Sequence, residues 1–410
     1  MWNGKGAVAP AAVERIVKAP PPPIHAASMA TSPVRDLLEL ADRPDVISFA
    51  GGFPDPALLD VPGIRAAFDT ALSGDDAGRN LQYSSTEGNA ALRELVAERL
   101  SGRGLATTGR SLLITTGSQQ ALTLVATTLL DTRAVVLVEE PTYLAALQCF
   151  HLTGAKVVPV PGDEQGILPD ALAAVAGREG PTMLYLVPTF ANPTGRTLPA
   201  RRRREVVEIA RRHGFWIVED EPYAELRYAG SDLDPLAAHP AAEQHTLYLG
   251  SFSKIGAPGL RIGWGRAPAS LLPSLVVVKQ SLDLQTSTVD QAAAAHYLST
   301  GALDAQVTRL RVAFRDRRDA MLGALPTTLP DGSAWTRPEG GMFIWARLPE
   351  GVDAGRLLPD ALAEKVAFVP GQPFHVTATA PETMRLSFTA NTTDAIVTGM
   401  TRLASVLRRS

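Results

Sequence analysis

Lys254 is the residue of this 410-residue chain best placed for covalent chemistry. It sits in Ser251-Phe-Ser-Lys254-Ile-Gly-Ala-Pro-Gly-Leu-Arg261-Ile-Gly-Trp, just after the apolar run TLYLG. A lysine in an apolar, Ser/Gly-rich loop loses solvation of its charged form, so its amine can form a Schiff base with an aldehyde. The hydroxyls of Ser251 and Ser253 and the guanidinium of Arg261 make a phosphate cradle. A surface lysine in a glycine loop is the bland alternative. Gly117-Ser118-Gln119-Gln120 lies between a strand-like and a helical stretch, where free backbone N–H groups and the helix dipole favour a phosphate. Ser118 is equally an ordinary N-cap. Asn192-Pro-Thr-Gly195 is a turn by composition, and its side-chain amide could hold a phenolic oxygen. Val218-Glu-Asp220-Glu-Pro-Tyr223 puts acids at the end of a strand, where Asp220 could keep a pyridine nitrogen protonated and make its ring an electron sink. A solvated acidic loop competes with that reading. Met384-Arg385-Leu-Ser-Phe388 sets one arginine inside an apolar strand, where it needs an anion, either a substrate carboxylate or a structural partner.

These residues need a frame. From about residue 80, short apolar runs alternate with helical spacing: LLITT at 112–116, VVLVEE at 135–140, KVVPV at 156–160, MLYLVP at 183–188 and FWIVED at 215–220. TLYLG and LRIGW follow, and a basic helix is expected over 200–213. This is the signature of an α/β fold with a mostly parallel open sheet, in which ligands collect at the carboxyl ends of the strands. After residue 265 the pattern turns helical, then closes as a smaller α+β region with MFIWARL, a helix over 353–365, MRLSF and a last helix from 392. The expected organisation is an extended proline-rich arm at 1–28, a small domain from 29–60 and 318–410, and a large domain at 61–317.

Composition narrows the partners. A net charge of −3 and a pI near 6.2 supply no basic field for nucleic acid or an anionic membrane. The basic runs 201–204 and 315–318 read as solvated helix faces. Apolar stretches such as 271–278 are too short to span a bilayer and are interrupted by Pro273. Cys149, the single cysteine, excludes an intrachain disulfide and reads as a buried structural thiol. No secretory signal is recognised, and the expectation is a cytoplasmic protein without a metal.

The order of these motifs resembles the class I/II aminotransferases of fold type I. The branch is that of 2-aminoadipate and kynurenine aminotransferases and of the aminotransferase halves of MocR-type regulators. The likeness runs from about Ser32 onward and includes SPVR at 32–35, ISFAGGFPDP at 47–56, LQYSSTEG at 81–88, EEPTY at 139–143, EGGMFIW and VPGQPF at 369–374. It implies pyridoxal 5'-phosphate as cofactor. Lys254 would hold it and move protons between the substrate Cα and the cofactor C4′. Asp220 would pair with the pyridine nitrogen, Asn192 and Tyr223 with the phenolic oxygen, and Tyr143 would stack on the ring. Ser118, Gln119, Ser251, Ser253 and Arg261 would bind the phosphate, joined by Tyr83 from the other subunit of a homodimer. Arg385 would take the substrate α-carboxylate with Gly52 beside it, and Arg35 a distal carboxylate. The implied reaction passes an amino group from an L-amino acid to a 2-oxo acid, with 2-oxoglutarate and glutamate as one pair. A pyridoxal-phosphate lyase, cyclase or oxidase would carry the same cofactor motifs. A DNA-binding regulator is disfavoured, because some 30 residues before the first motif are too few for a helix-turn-helix domain.

Overall fold

The computed structural model describes residues 45–376 and 380–409. The expected arm at 1–28 and Arg35 lie outside the described residues. Seven apolar runs form one sheet: Leu112–Thr116 (β1), Val135–Glu139 (β2), Lys156–Val160 (β3), Met183–Leu186 (β4), Trp216–Asp220 (β5), Thr246–Ser251 (β6) and Ile262–Arg266 (β7). Their spatial order is β1-β7-β6-β5-β4-β2-β3. The pairs from β6 across to β3 are parallel, while β7 runs antiparallel to both β6 and β1. One reversed strand therefore makes β6 and β7 a hairpin, and Lys254 lies in its connection.

The helices of ten or more residues are Val61–Ala71 (α1), Ala90–Ser101 (α2), Gly117–Leu129 (α3), Leu144–Thr153 (α4), Pro169–Glu179 (α5), Ala200–His213 (α6), Leu272–Asp283 (α7), Thr288–Ser299 (α8), Ala302–Thr328 (α9), Ala354–Ala363 (α10) and Thr393–Leu407 (α11). Side chains of period two split the sheet's two faces. Leu137, Leu184, Leu186 and Ile217 pack with Leu172 and Val175 of α5 and Val206 and Val207 of α6. Val136, Val138, Tyr185 and Val218 belong to the other core, with Leu122 and Val125 of α3. Full burial of each such aliphatic side chain contributes about 1.5–3 kcal/mol. The same alternation carries on to the end of β5. Asp220 shares a face with Val218, whereas Glu219 and Glu221 face α6.

The C-terminal strands Ala334–Trp335 (β8), Phe343–Arg347 (β9), Val369–Pro370 (β10) and Thr383–Ser387 (β11) make a separate antiparallel sheet, ordered β8-β9-β11-β10. Helix α11 packs along α9 beside it. Ile47–Ser48 pairs with Val366–Ala367 and ties the Gly51-Gly52 segment to this region.

Two sequence expectations need correction. Pro273 does not interrupt 271–278; it occupies the first turn of α7, where its missing N–H has no helical partner to lose. The basic runs are not simply solvated faces either. Arg203, Arg317 and Arg318 are buried. Arg203 donates to Leu198 O, Pro188 O and Thr189 Oγ1, and stands 3.6 Å from Glu221. Arg317 reaches Asp55 Oδ2 at 2.6 Å, and Arg318 donates to Pro338 O. A helix carrying four successive basic residues turns at least one inward, and that one needs an acceptor inside. Among the described residues no helix is long and apolar enough to cross a membrane.

Candidate active site

At the end of β6 the chain tightens into a short turn over Phe252–Lys254. Ser251 Oγ caps that turn by accepting from the Ser253 N–H at 3.0 Å. Phe252 anchors it, packing edge-on against Trp264 at 5.7 Å. With Phe252 committed to the core, Lys254 is left to reach the rim. Its Nζ donates to Gly52 O at 2.9 Å and stands 6.0 Å from the Phe53 ring centre. Burial, then the guanidiniums of Arg385 and Arg261, bring its pKa down to about 8 against the pull of Asp220.

Asp220 closes β5 on the same rim. Its Oδ2 accepts from the Tyr185 hydroxyl at 2.8 Å, and its Oδ1 is buried without a hydrogen-bond partner among the described residues. Burial raises its pKa to about 6. A carboxylate with one oxygen held and the other open is set to receive a cationic N–H.

Around Arg385 on β11 the contacts are dense. Its Nη1 donates to Asn192 Oδ1 at 2.8 Å and its Nη2 to Ala50 O at 2.7 Å. The guanidinium lies over Phe343 at 4.4 Å and Phe374 at 4.9 Å, and Nε is buried without a hydrogen-bond partner among the described residues. Burial lowers the Arg385 pKa to about 10, so the group stays charged at neutral pH, and no carboxylate pairs with it among the described residues. The Tyr223 hydroxyl is hydrogen-bonded to the Asn192 side chain, and the ring packs edge-on against Phe343 at 5.9 Å. Tyr143, at the head of α4, has its phenol pushed up to about 12 by burial and by Asp220.

Opposite the lysine is the cradle. Ser118 lies in the first turn of α3, where the capping residue Thr116 makes no side-chain bond to the helix. Arg261 Nη1 donates to Ser253 Oγ at 3.3 Å, and the Arg261 guanidinium fills the space a Cβ at Gly117 would need. A Cβ at Gly263 would stand 2.5 Å from the Ser118 nitrogen. Two missing side chains thus let an arginine and a helix N-terminus close on one point. The Gln119 side chain is committed elsewhere, donating to buried Cys149 Sγ at 3.0 Å, so what Gln119 offers the cradle is its backbone N–H.

The structure therefore brings Lys254, Asp220, Asn192, Tyr143, Tyr223, Arg385, Ser118, Ser251, Ser253, Arg261 and Gly52 to one rim. Tyr83 is not among them, being 77% exposed. Phe190 is fully buried under the Arg227 guanidinium at 4.7 Å. Sequence reasoning missed Tyr185 and the carbonyl of Ala50, which accepts from Arg385. Tyr185 had a signal: a phenol in an otherwise apolar strand needs a hydrogen-bond partner. Tyr185→Phe leaves both Asp220 oxygens without a protein donor. Losing a charge-assisted hydrogen bond of about 1.5–3 kcal/mol should move the acid limb of the pH–activity profile upward by about one unit or more. The pH dependence of kcat checks this; an unmoved limb would mean that Tyr185 only packs.

A lysine whose pKa is brought down to about 8, a buried carboxylate and an anion cradle around one space are what chemistry at an amino acid's Cα requires of an aldehyde cofactor. The family model for aminotransferase class I and II matches residues 44–402, and the chain belongs to that family. It is 41% identical over 93% of its length to aromatic-amino-acid aminotransferase 1 of Thermococcus litoralis, covering 93% of that protein. The crystal structure of Pyrococcus horikoshii kynurenine aminotransferase, in complex with PMP, superposes with a TM-score of 0.89 at 38% identity over 94% of this chain and 96% of that one. That of the alpha-aminoadipate aminotransferase of Thermus thermophilus, complexed with N-(5'-phosphopyridoxyl)-L-leucine, gives 0.87 at 39% identity, again over 94% and 96%. The chain is a pyridoxal-phosphate-dependent aminotransferase of amino acids. Its residues fit that cofactor, with Asp220 Oδ1 open for a ring nitrogen and the two glycines letting Arg261 and the Ser118 N–H close on one point where a phosphate would sit.

Proposed function

We propose that the enzyme moves the amino group of an L-amino acid to a 2-oxo acid in a ping-pong cycle on Lys254, with glutamate and 2-oxoglutarate as one pair. The observation carrying this reading is that Lys254, its pKa near 8, sits within electrostatic reach of both Asp220 and Arg385. Lys254 Nζ would hold the cofactor covalently and, once the incoming substrate amine takes its place and frees it, would take the proton from the substrate Cα and return one. The cofactor supplies an aldehyde and an electron-withdrawing ring. Asp220 holds the ring nitrogen protonated, and Asn192 and Tyr223 meet the phenolic oxygen. Tyr143 covers the ring face. Ser118, Gln119, Ser251, Ser253 and Arg261 receive the phosphate. Arg385 binds the α-carboxylate that donor and acceptor share, with Gly52 close by. The role of Arg35 toward a distal carboxylate rests on the family resemblance alone. Long dicarboxylic and aromatic amino acids are the donors to try first.

We propose further that the active sites are shared in a homodimer, with Tyr83 reaching the partner's phosphate. Tyr83, Leu81 and Leu282 are 77%, 70% and 56% exposed, and the Ser84 N–H donates to Gln285 Oε1 at 2.5 Å, which joins their segments. An apolar patch of this kind supports self-association. We also infer a large domain over 61–317 and a small one from 29–60 and 318–410, which would put Lys254 and Arg385 on different bodies.

The test is the visible spectrum of the cofactor-loaded enzyme with L-glutamate as sole substrate. The cofactor band should disappear and return with 2-oxoglutarate. A band that ignores glutamate would remove that pair from the proposal.

A further inference from the structure

Lys279 on α7 is fully buried, although nothing in the site described above touches it. Each of its three N–H bonds finds an acceptor: Gln120 Oε1 at 3.0 Å, Asp283 Oδ1 at 2.8 Å and Thr286 Oγ1 at 3.1 Å. These acceptors converge on Thr116, the capping residue of α3. Gln120 Oε1 also accepts from the Thr116 N–H at 2.8 Å, and Gln120 Nε2 donates to Asp283 Oδ2 at 2.6 Å. The Thr116 hydroxyl is 3.3 Å from Asp283 Oδ2, to which it donates, and 3.2 Å from Thr286 Oγ1. A threonine in this position ordinarily turns its hydroxyl onto the second or third N–H of its helix, which here are those of Ser118 and Gln119. In this chain it does not.

We infer that Lys279, through Asp283 and Thr286, is a positioning residue that draws the Thr116 hydroxyl away from the first turn of α3 and leaves those N–H groups for the cofactor phosphate. The inference rests on the proposed phosphate cradle and adds its cause. A helix N-terminus serves an anion only while its own cap does not occupy it. Lys279 gives that competition to the ligand without touching the ligand.

The test compares pyridoxal 5'-phosphate with pyridoxal, which lacks the phosphate, for binding to the full-length protein freed of cofactor. Lys279→Met should weaken pyridoxal 5'-phosphate about tenfold, the scale of one N-cap, and leave pyridoxal unchanged. Adding Thr116→Val, which removes the competing hydroxyl, should restore most of the loss. Asp283, whose side chain is 30% exposed, gives a second route: Asp283→Ala should show the same phosphate-selective loss if Lys279→Met does not fold. Equal weakening of both ligands would overturn the inference in favour of a structural role, as would a double variant no better than Lys279→Met. The underlying reading fails separately, if the unaltered protein binds pyridoxal as tightly as pyridoxal 5'-phosphate.

Discussion

Lys254→Ala should lower turnover by on the order of 10⁴-fold, the upper range for loss of a positioned acid–base group. The cofactor should remain bound through its phosphate and ring. Lys254→Arg is the sharper variant. It preserves length and charge, but a guanidinium stays protonated at every working pH and can neither attack an aldehyde nor take a proton from Cα. Both variants should be inactive in single-turnover assays, and a small primary amine in the buffer should restore part of the alanine variant's rate. An arginine variant retaining a tenth of the activity would sink the assignment. A pH dependence follows with a definite sign. Burial and two guanidiniums lower the Lys254 pKa to about 8, so its reactive neutral form grows as pH rises through 8. Covalent capture of added cofactor should therefore accelerate up to about pH 8 and level off above it, well below the range of an ordinary lysine.

Asp220→Asn should be the next most damaging change. The amide keeps the shape and can still accept from Tyr185, whose hydroxyl is 2.8 Å from Oδ2, so the fold is expected to survive. What it cannot do is balance a positive ring nitrogen. Burial raises the Asp220 pKa to about 6 against the opposing pull of the Tyr185 hydroxyl and Lys254, as expected of a carboxylate held away from water. A charge pair broken in such a place costs about 3–5 kcal/mol, or about a hundred- to several thousand-fold in the proton-transfer step. Stopped-flow measurement of the half-reaction with a good donor reads this directly. An asparagine enzyme within tenfold of the unaltered one would mean that the ring nitrogen works uncharged.

Much of this was legible before any coordinates. Lys254, Asp220, Asn192 and Ser118 sit at or just beyond the ends of apolar runs, and a parallel sheet gathers such ends on one rim. Arg385 was legible because an arginine among Met384, Leu386 and Phe388 cannot be left without an anion. The losses have physical reasons. Tyr185 looked like one more β-strand aromatic, since periodicity gives its face but not the group opposite its hydroxyl. Ala50 acts through a main-chain carbonyl, which every residue owns. Arg203, Arg317 and Arg318 were hidden in their own runs, because charge density says nothing about which member of a run turns inward. Lys279 left no trace for the same reason: its meaning lies in Thr116, some 160 positions earlier, which only the packing of α3 against α7 reveals.

The two grips proposed for a substrate rest on different supports. Lys254 and Asp220 belong to the rim of the parallel sheet, whereas Arg385 rides on the antiparallel one, and the hydrogen bond from Arg385 to Asn192 joins them. Inheritance can treat such halves unequally. Substitutions in the C-terminal strands would therefore shift the Arg385 side of the site while leaving in place the sheet rim that carries Lys254 and Asp220.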